Sequence, residues 1–245
     1  DRIANEGALL NNVFVTNSIC TPSRATIMTG QYGHVTGVHT LWDDLRTEDT
    51  TVATLLQKNG YNTALVGKWH LHIEPQGFDY YSVLPGQGNY FNPIFKETGT
   101  KWTRKKVGKE YKGYVTDVIT DNALNWLENR NKEKPFFMML HHKAPHGLWE
   151  YAPRHENLYS DVKIPEPKSL YEDKTHRSEG SKSYGRDMLN LSKRMYEGKR
   201  GKDYPTGKLN IEGMTDKEKI AATYQKYMKD YLKVVVAIDE NVGKT

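Results

Sequence analysis

Two features are scarce in this sequence, namely cysteine and long apolar runs. Cys20 is the only cysteine among 245 residues, which excludes an intrachain disulfide framework and a zinc site built from several cysteines. The longest apolar runs, such as Phe136–Leu140 and Val234–Ile238, are far shorter than the roughly 20 residues that a transmembrane helix needs. Together with a mean hydropathy of −0.77, this predicts a polar globular chain without a membrane span.

The start of the sequence lacks the features of a secretory signal peptide. Its first residues, Arg2–Gly7, are instead typical of the end of a helix. We therefore expect the chain to begin and end inside a larger protein. A chain of this length can bury a sizeable core, and one domain is the first expectation.

The excess of positive charge is moderate and unevenly distributed. Lysine and arginine number 35 and aspartate and glutamate 30, which gives a net charge of +5 and suits an anionic substrate. Much of this charge lies in residues 101–106 and 182–208, whose composition is typical of solvated loops. Because the sequence contains no recognised nucleic-acid-binding module, we expect no nucleic-acid partner.

A turn from strand to helix is predicted around the single cysteine. Val13–Val15 indicates a short buried strand, residues 16–18 offer side-chain oxygens for capping, and Gly30 is a helix stop. Parallel α/β folds place their chemistry at such turns. We therefore expect a helix over residues 22–29, with Cys20 at its mouth.

The surroundings of Cys20 are predicted to be electropositive. Pro22 suits the first turn of a helix, and Arg24 lies four residues after the cysteine, on the same helix face. A helix N-terminus adds about half a positive charge and free N–H groups. These residues alone leave two interpretations open, an inert small buried residue or a reactive side chain in a cup of positive charge.

Further helices and strands are predicted from apolar periodicity and from start and stop signals. The capping box Thr215–Glu218 begins a long helix. Residues 153–213 have little periodicity, so we expect a long polar surface excursion with a short helix over 183–196. The other predictions are helices over 51–59 and 114–130, strands over 63–66 and 135–140, and turn-rich active-site loops at 75–79 and 84–90. The expected core faces are Val52, Leu55 and Leu56 in the helix over 51–59, and Ile220, Tyr224, Tyr227, Tyr231, Val234, Val235 and Ile238 in the last helix.

Polar side chains follow the predicted strand over residues 63–66. Lys68 and His70 come directly after it, at a strand end where parallel sheets place functional groups. The alternative is a solvated lysine and a hydrogen-bonded core histidine. The local sequence does not separate these two interpretations.

Three histidines follow the last predicted strand. His141 and His142 point to opposite faces if the strand continues, and a zinc site there lacks a companion cysteine or a His-Glu-x-x-His pattern. His146 comes next, at the end of an Ala-Pro-His segment. Trp149 and Tyr151 follow closely; they either stack on a sugar ring or pack the loop, and we favour packing.

The sequence resembles the type I sulfatase family along nearly its whole length. Cys20, Pro22, Arg24, Thr29 and Gly30 fall in register with that family's Cys-x-Pro-x-Arg and Thr-Gly signature. The resemblance is strongest to bacterial glycan sulfatases of the N-acetylglucosamine-6-sulfatase type. It implies an α/β fold of the alkaline-phosphatase/sulfatase type, with a mixed, largely parallel sheet flanked by helices. The stretches that carry it are 17–24, 67–71, 74–79, 143–146 and 227–231.

The resemblance implies a role for four residues near the start of the chain. Cys20 is the residue that the family oxidises to formylglycine, whose hydrated aldehyde is the nucleophile, and Arg24 favours the ionised form of that group. Lys68 and His70 reach the sulfate and the nucleophile. Lys68 then neutralises the sulfate oxygens, and His70 takes a proton from the nucleophile's remaining hydroxyl so that sulfate leaves.

The resemblance also implies a proton donor for the leaving group. The family carries an Ala-Pro-His or related segment after this strand, and its histidine protonates the leaving sugar oxygen. His146 matches that histidine by position and context, so we expect His146 to bind the substrate and supply the proton. His142 is a lower-ranked alternative.

One divalent cation, usually calcium, is implied as a cofactor. The family binds it with an aspartate pair before the formylglycine strand, with Asp and Asn or Gln after the long helix, and with the formylglycine, here Cys20. We expect the other ligands, and a second sulfate-binding lysine, to lie outside this chain, because none of its aspartates sits in the matching motif. The aspartates considered are Asp43, Asp44, Asp79 and Asp239.

The resemblance finally implies a place for the chain in a larger enzyme. Residues 1–245 are expected to form part of an N-terminal sulfatase catalytic domain, without the family's smaller C-terminal subdomain, and to be inactive alone. The implied partners are a sulfated carbohydrate, above all 6-O-sulfated glucosamine of heparin-like chains, and a formylglycine-generating enzyme. The implied location is periplasmic or secreted.

Three alternative functions stay open. A cysteine-dependent phosphatase also holds a thiolate and an arginine at a helix mouth, although that class has five residues between the two and this sequence has three between Cys20 and Arg24. The second is a phosphatase or phosphodiesterase of the same superfamily. The third is a glycan-binding protein that keeps the fold without catalysis.

Overall fold

The computed structural model describes residues 2–183, 187–199 and 201–245. The chain divides into two compact units. The first comprises Asp1–Gly113 and Asp121–His141, and the second comprises Tyr114–Thr120 and His142–Thr245.

A mixed β-sheet forms the centre of the first unit. Over the described residues it has five strands in the order β4-β3-β2-β1-β5. β1 pairs in parallel with β2 and with β5, whereas β3 is antiparallel to both β2 and β4. The predicted α/β class with a mixed sheet is therefore confirmed, with the parallel pairings around β1. The strands are β1 (Asn62–Lys68), β2 (Tyr80–Leu84), β3 (Ile94–Glu97), β4 (Lys109–Glu110) and β5 (Phe136–His141).

The central strand β1 is buried from its second residue to its end. Its residues from Thr63 to Lys68 are all buried, as expected for a continuous apolar strand covered on both faces. In the register of the parallel pairs, Gly67 lies opposite His141 and Lys68 opposite Leu84. The carboxyl ends of β1 and β5 consequently bring Lys68 and His141 to one edge of the sheet.

Four helices of the first unit precede the sheet in the chain. The predicted helix after Cys20 is confirmed, and it ends at Gly30, which adopts a left-handed conformation. The predicted helix over 51–59 is also confirmed, and Thr51 and Thr54 form a capping box at its start. The helices are α1 (Arg2–Glu6), α2 (Cys20–Thr29), α3 (Gly33–Thr36) and α4 (Val52–Lys58).

Two predictions for the segment before α2 are wrong. Val13–Val15 is not a strand, and its side chains are 59–89% exposed, because the segment pairs with no other strand in the described part of the chain. Residues 16–18 do not cap α2 either. Ile19 is the N-cap, and no side-chain cap is formed by the residues that the structure describes. The first turn of α2 therefore keeps its positive potential.

The core of the first unit includes one of the turns predicted as an active-site loop. Phe78 is 7% exposed and packs edge-on against Trp69, with ring centroids 6.3 Å apart. The predicted apolar face of α4 is wrong, since Ala53 is buried while Val52 and Leu55 are exposed. Other buried members of this core are Ala25, Met28, Val38, Leu45, Leu65, Leu71, Tyr81 and Val83.

The second unit is helical. The predicted helix over 114–130 is confirmed as α5 (Val115–Asn129), whose residues from Asp121 onward belong to the first unit. No described helix is both long and apolar enough to span a membrane. The other helices are α6 (Glu179–Ser183), α7 (Met188–Glu197) and α8 (Asp216–Val242), and three short 3₁₀ helices cover Pro153–His155, Lys168–Tyr171 and Lys174–His176.

The excursion over residues 153–213 contains one well-packed element. α7 packs against α8 and buries Leu191 and Met195, so this part of the excursion is amphipathic. The predicted helix over 183–196 is confirmed where it overlaps α7, but its residues 184–186 lie outside the described residues.

The long helix α8 begins at the predicted capping box, but its buried face is different from the prediction. Thr215 and Glu218 form the box. Of the predicted core residues only Val234 is fully buried. The other buried positions of α8 are Thr223, Asp230, Lys233, Ala237 and Asn241.

Candidate active site

The end of β1 and the start of α2 bring two predicted site residues into contact. Cys20 is the first residue of α2, and Lys68 is the last residue of β1. Lys68 Nζ donates a hydrogen bond to Cys20 Sγ over 3.4 Å. Lys68 is only 3% exposed, whereas Cys20 is half-buried. The ammonium group is therefore held beside the sulfur in a largely water-free position.

Arg24 lies one helical turn after Cys20 and is anchored to the end of the sheet. Its Nη1 donates to the carbonyl oxygen of Lys68 over 2.6 Å and lies 3.2 Å from Nδ1 of His141. Because a guanidinium only donates, Nδ1 of His141 accepts in this contact when the proton is on Nε2; with the proton on Nδ1 it donates instead to the carbonyl oxygen of Lys68, 3.2 Å away. The fork of Arg24 is thus fixed by a main-chain oxygen and contacts an imidazole nitrogen.

The two cations share an electropositive environment. Burial lowers the pKa of Lys68, and Arg24 lowers it further, while Cys20 acts in the opposite direction. Burial also lowers the pKa of Arg24, again opposed by Cys20. Two desolvated cations and the N-terminal turn of α2 therefore surround one side chain. This arrangement favours an anionic group at the position of Cys20 and anionic oxygens beside it.

His70 lies next to α2 through its main chain. Its carbonyl oxygen accepts a hydrogen bond from Thr21 Oγ1 over 3.1 Å. His70 has a positive φ of 57°, and its ring meets that of His72 edge-on at 5.6 Å. The side chain of His70 lines a cavity of the first unit. The structure thus brings Cys20, Arg24, Lys68 and the backbone of His70 together, while their catalytic roles stay predictions.

The two histidines proposed as proton donors belong to the second unit. His146 Nδ1 lies 2.7 Å from the carbonyl oxygen of Gly147, which places a proton on Nδ1. Neither ring nitrogen of His142 has a hydrogen-bond partner among the described residues. Burial lowers the pKa of His142, opposed by Asp117, so its ring is held neutral. The choice of His146 over His142 as the proton donor stays a prediction.

The prediction that Trp149 packs its loop is confirmed. Trp149 is 6% exposed and meets the ring of Tyr227 edge-on at 4.6 Å. Its indole N–H donates to the carbonyl oxygen of Pro145 over 3.1 Å. Lys233 Nζ lies 4.2 Å from the ring centroid of Tyr151.

His141 is the residue that the sequence analysis did not assign to the site. Its Nδ1 contacts Arg24, and it also lies 3.2 Å from the carbonyl oxygen of Lys68. The position of His141 at the end of a predicted strand already indicated a place in the site. His141 ends β5 as Lys68 ends β1, and the last residues of neighbouring parallel strands meet at one sheet edge.

The described residues do not form a calcium site by themselves. In the part of the chain that the structure describes, no three His, Cys, Asp or Glu side chains lie close enough to hold a metal ion. The charged neighbours of Cys20 in its own unit are the cations Lys68 and Arg24. Calcium prefers six to eight oxygen ligands, and this set does not provide them.

Comparison with known proteins places this geometry in a family. A family model described as Sulfatase matches residues 1–245. The chain is 38% identical over 283 aligned positions to N-acetylglucosamine-6-O-sulfatase of Bacteroides thetaiotaomicron, covering 100% of this chain and 49% of that protein. It is 30% identical to N-acetylglucosamine-6-sulfatase of Bos taurus, over 69% of this chain and 33% of that protein. The chain thus spans half or less of the length of these relatives.

Solved structures agree with the sequence comparison. A structure described as BT4656 in complex with its substrate D-glucosamine-2-N,6-O-disulfate superimposes with a TM-score of 0.85 and 36% identity, over 99% of this chain and 55% of that one. The phosphonate monoester hydrolase SpPMH of Silicibacter pomeroyi matches with a TM-score of 0.55 and 17% identity, over 94% of this chain and 49% of that one, and shares the fold. With a family model over its full length, a whole-chain relative and the Cys20 signature, this chain belongs to the sulfatase family.

Proposed function

We propose that the protein containing this chain is a sulfuric ester hydrolase that removes the 6-O-sulfate of glucosamine or N-acetylglucosamine units in heparin-type or related glycans. The observation that carries the proposal is the contact of Lys68 Nζ with Cys20 Sγ, with Arg24 anchored one turn away. Two relatives named N-acetylglucosamine-6-sulfatases support the substrate. A structural neighbour bound to a sulfated glucosamine supports it as well.

Cys20 is the position at which the nucleophile is formed. Converted to formylglycine, this residue would supply a hydrated aldehyde whose oxygen attacks sulfur. The position fits such a group, because an oxygen in place of Sγ would lie at the N-terminus of α2 and within reach of the Lys68 ammonium. The proposal includes a formylglycine-generating enzyme as a partner and a periplasmic or secreted location, which membership of the sulfatase family supports.

Lys68 and Arg24 supply the positive charge that the reaction needs. The Lys68 ammonium donates to oxygen atoms next to Cys20 and neutralises the sulfate as negative charge shifts during transfer. Arg24, fixed by the carbonyl oxygen of Lys68, favours the ionised form of the nucleophile. Both groups are held in place before the substrate arrives, so the site reorganises little.

The proton transfers are assigned to two histidines. His146 acts as the imidazolium: Nδ1–H is held by the carbonyl oxygen of Gly147, and the proton on Nε2 passes to the leaving sugar oxygen, which leaves the ring neutral. His70 takes a proton from the nucleophile's hydroxyl when sulfate is released. The calcium ion implied by the family would favour the ionised form of the nucleophile when bound; residue 20 is the ligand that this chain would supply, and the other ligands would come from outside it.

The experiment is Cys20→Ala in the full-length protein, with N-acetylglucosamine 6-sulfate as substrate. We expect sulfate release to fall to background while the thermal unfolding midpoint stays unchanged. Ile27→Ala on the same helix is the matched control, because Ile27 is 55% exposed, and it should keep full turnover. Normal turnover by the Cys20→Ala variant would overturn the proposal.

Mass spectrometry of the peptide that contains residue 20 separates the alternatives. Formylglycine replaces the CH₂–SH group of Cys20 with an aldehyde and makes the peptide lighter. An unmodified thiol, together with release of phosphate from a phosphate ester, would instead identify a cysteine-dependent phosphatase. Sugar binding without release of either anion would identify a glycan-binding protein.

A further inference from the structure

A cavity of about 320 Å³ opens in the first unit beside His70. None of the roles proposed above uses this cavity as a whole. Its wall combines tryptophans with basic side chains from β3 and from the segment that follows it. The residues that carry the argument are Trp42, His72, Lys96, Trp102, Thr103 and Lys106.

Lys96 is a buried cation in the wall of this cavity. It is 5% exposed, and its Nζ lies 4.4 Å from the ring centroid of Trp102. No carboxylate among the described residues lies within 4.0 Å of its Nζ, since Lys96 forms none of the ion pairs found there. Burial lowers the pKa of Lys96. A buried charge without a counter-charge is unfavourable, and the described residues place no carboxylate beside this ammonium, so it is suited to binding an external anion.

The remaining charges around the cavity do not supply that anion. Asp44 contacts two of the wall residues, since its two oxygens meet Arg104 and His72. Arg104 and His72 therefore already compensate Asp44. Lys106 adds a further positive charge. The cavity is left with a net positive potential, which attracts an anionic ligand.

A hydroxyl group and an exposed ring indicate what kind of anion fits. Thr103 Oγ1 is buried and has no hydrogen-bond partner among the described residues, although buried polar groups in proteins are nearly always hydrogen-bonded. Trp42 is 84% exposed at the rim and presents a flat apolar face to solvent. An oxyanion attached to a ring would satisfy Thr103 and Lys96 and lay the ring against Trp42.

We infer that this cavity binds a second anionic substituent, a sulfate or a carboxylate, of the glycan whose 6-O-sulfate is cleaved at Cys20. The inference rests on the proposed function and adds a specificity determinant to it. The cavity selects doubly anionic substrates over singly sulfated ones. Lys96 is its principal anion-binding residue, Thr103 donates a hydrogen bond, and Lys106 contributes long-range attraction.

The test compares three substrates with the full-length protein. N-acetylglucosamine 6-sulfate carries one anion, glucosamine 2-N,6-O-disulfate carries a second one on the same ring, and a uronic acid linked to N-acetylglucosamine 6-sulfate carries it on the neighbouring ring. The wild type should prefer one of the doubly anionic substrates in kcat/KM. The preferred substrate identifies where the second anion is attached.

Lys96→Met removes the charge and keeps the aliphatic stem. The preference for the doubly anionic substrate should fall by about tenfold or more, mainly through KM, as expected for loss of one hydrogen bond to a charged group. Lys106 is exposed, so Lys106→Gln should not disturb the fold. It should reduce the preference by about two- to fivefold. The matched control is Lys132→Gln, which removes an exposed lysine elsewhere in the first unit and should keep the wild-type preference.

Binding of glucosamine 2-N,6-O-disulfate to the Cys20→Ala protein, measured by calorimetry, separates the two proposals. If the wild type releases no sulfate from any substrate, the proposed function fails. If sulfate is released but Lys96→Met changes neither the substrate preference nor the calorimetric affinity, the inference about the cavity fails and the proposed function stands. A weaker affinity in the Cys20→Ala, Lys96→Met double variant supports the cavity as the binding site.

Discussion

Replacement of Lys68 by methionine is expected to remove most catalysis while leaving the fold at least as stable as the wild type. Methionine keeps an unbranched side chain of similar length and removes only the charge. Lys68 is suited to this test because it is 3% exposed and its Nζ lies 3.4 Å from Cys20 Sγ. In the proposed mechanism its ammonium acts on the reacting group directly, with little water between them.

The expected loss of rate follows from that distance. Two unit charges at this separation attract by about 5 kcal/mol at an effective dielectric constant of about 20, which is an upper bound before desolvation is subtracted. Loss of one preorganised donor at a developing oxyanion costs about 2.7–4 kcal/mol in other enzymes. We therefore expect Lys68→Met to lower kcat by about 10²- to 10³-fold.

The expected effect on stability has the opposite sign. Burial lowers the pKa of Lys68 below its ordinary value of 10.5, and Arg24 lowers it further. The unfolded chain thus binds this proton more tightly than the folded one, so the charged lysine opposes folding at neutral pH. This unfavourable contribution to the free energy of folding decreases as the pH rises from the lowered pKa toward 10.5. Lys68→Met removes it, and the unfolding midpoint at pH 7 should stay the same or rise.

Sulfate release and thermal unfolding of the full-length protein measure the two effects together. Lys58→Met, an exposed position in the last turn of α4, is the matched control and should change neither quantity. A kcat within tenfold of the wild type would refute the electrostatic role of Lys68. A midpoint lowered by more than a few degrees would refute the sign assigned to its burial.

Two further predictions concern stability. Arg154→Ala should lower the free energy of unfolding by about 1–2 kcal/mol, because two hydrogen bonds to the partly exposed Asp117 are lost. Burial raises the pKa of Asp117, but its hydrogen bonds outweigh burial and the pKa is lowered. The loss of unfolding free energy, measured in urea, should therefore shrink as the pH falls below 3.8. A pH-independent loss, or an equal one for the exposed control Lys163→Ala in the same unit, would contradict this. Gly77→Ala should lower the free energy of unfolding by at least about 3 kcal/mol, because its Cβ would lie 2.4 Å from a backbone nitrogen of α4. Gly99 has a similar φ but open space around it, so Gly99→Ala should lower the free energy of unfolding by only about 1–2 kcal/mol. Equal losses at the two glycines in urea unfolding would count against the packing argument.

The elements that carry the site could be predicted because each has a strong local signal. β1 and β5 are continuous apolar runs, and α2 has Pro22 in its first turn and Gly30 at its end. These signals are independent of the rest of the chain. The strand predicted at Val13–Val15 had the same apolar signal and failed, because a strand also needs a hydrogen-bonded neighbour, and none pairs with it in the described part of the chain.

The buried face of α8 could not be predicted from periodicity. Its tyrosines and its polar residues repeat at the same helical spacing, so the pattern alone does not decide which stripe faces inward. The structure buries Asp230, which accepts hydrogen bonds from Thr206 and Lys226. It also buries Lys233, whose Nζ donates to the carbonyl oxygen of Glu156. Lys226 lies one turn before Asp230 on α8, but Thr206 and Glu156 lie in the segment without periodicity, and only the fold shows that they satisfy the buried charges.

The limits of prediction at the site have the same origin. Cys20 and Arg24 are related by local helix geometry, and their proximity follows from a spacing of four residues. Lys68 and His141 are related by strand register, since Gly67 lies opposite His141 in a pair whose members are 74 residues apart in the chain. A register shifted by one residue would turn His141 to the other face of the sheet and leave Arg24 without its imidazole contact. The contact of His141 with Arg24 is therefore the feature of this site that depends most on the assembled sheet, and the position of the Arg24 guanidinium depends on it in turn.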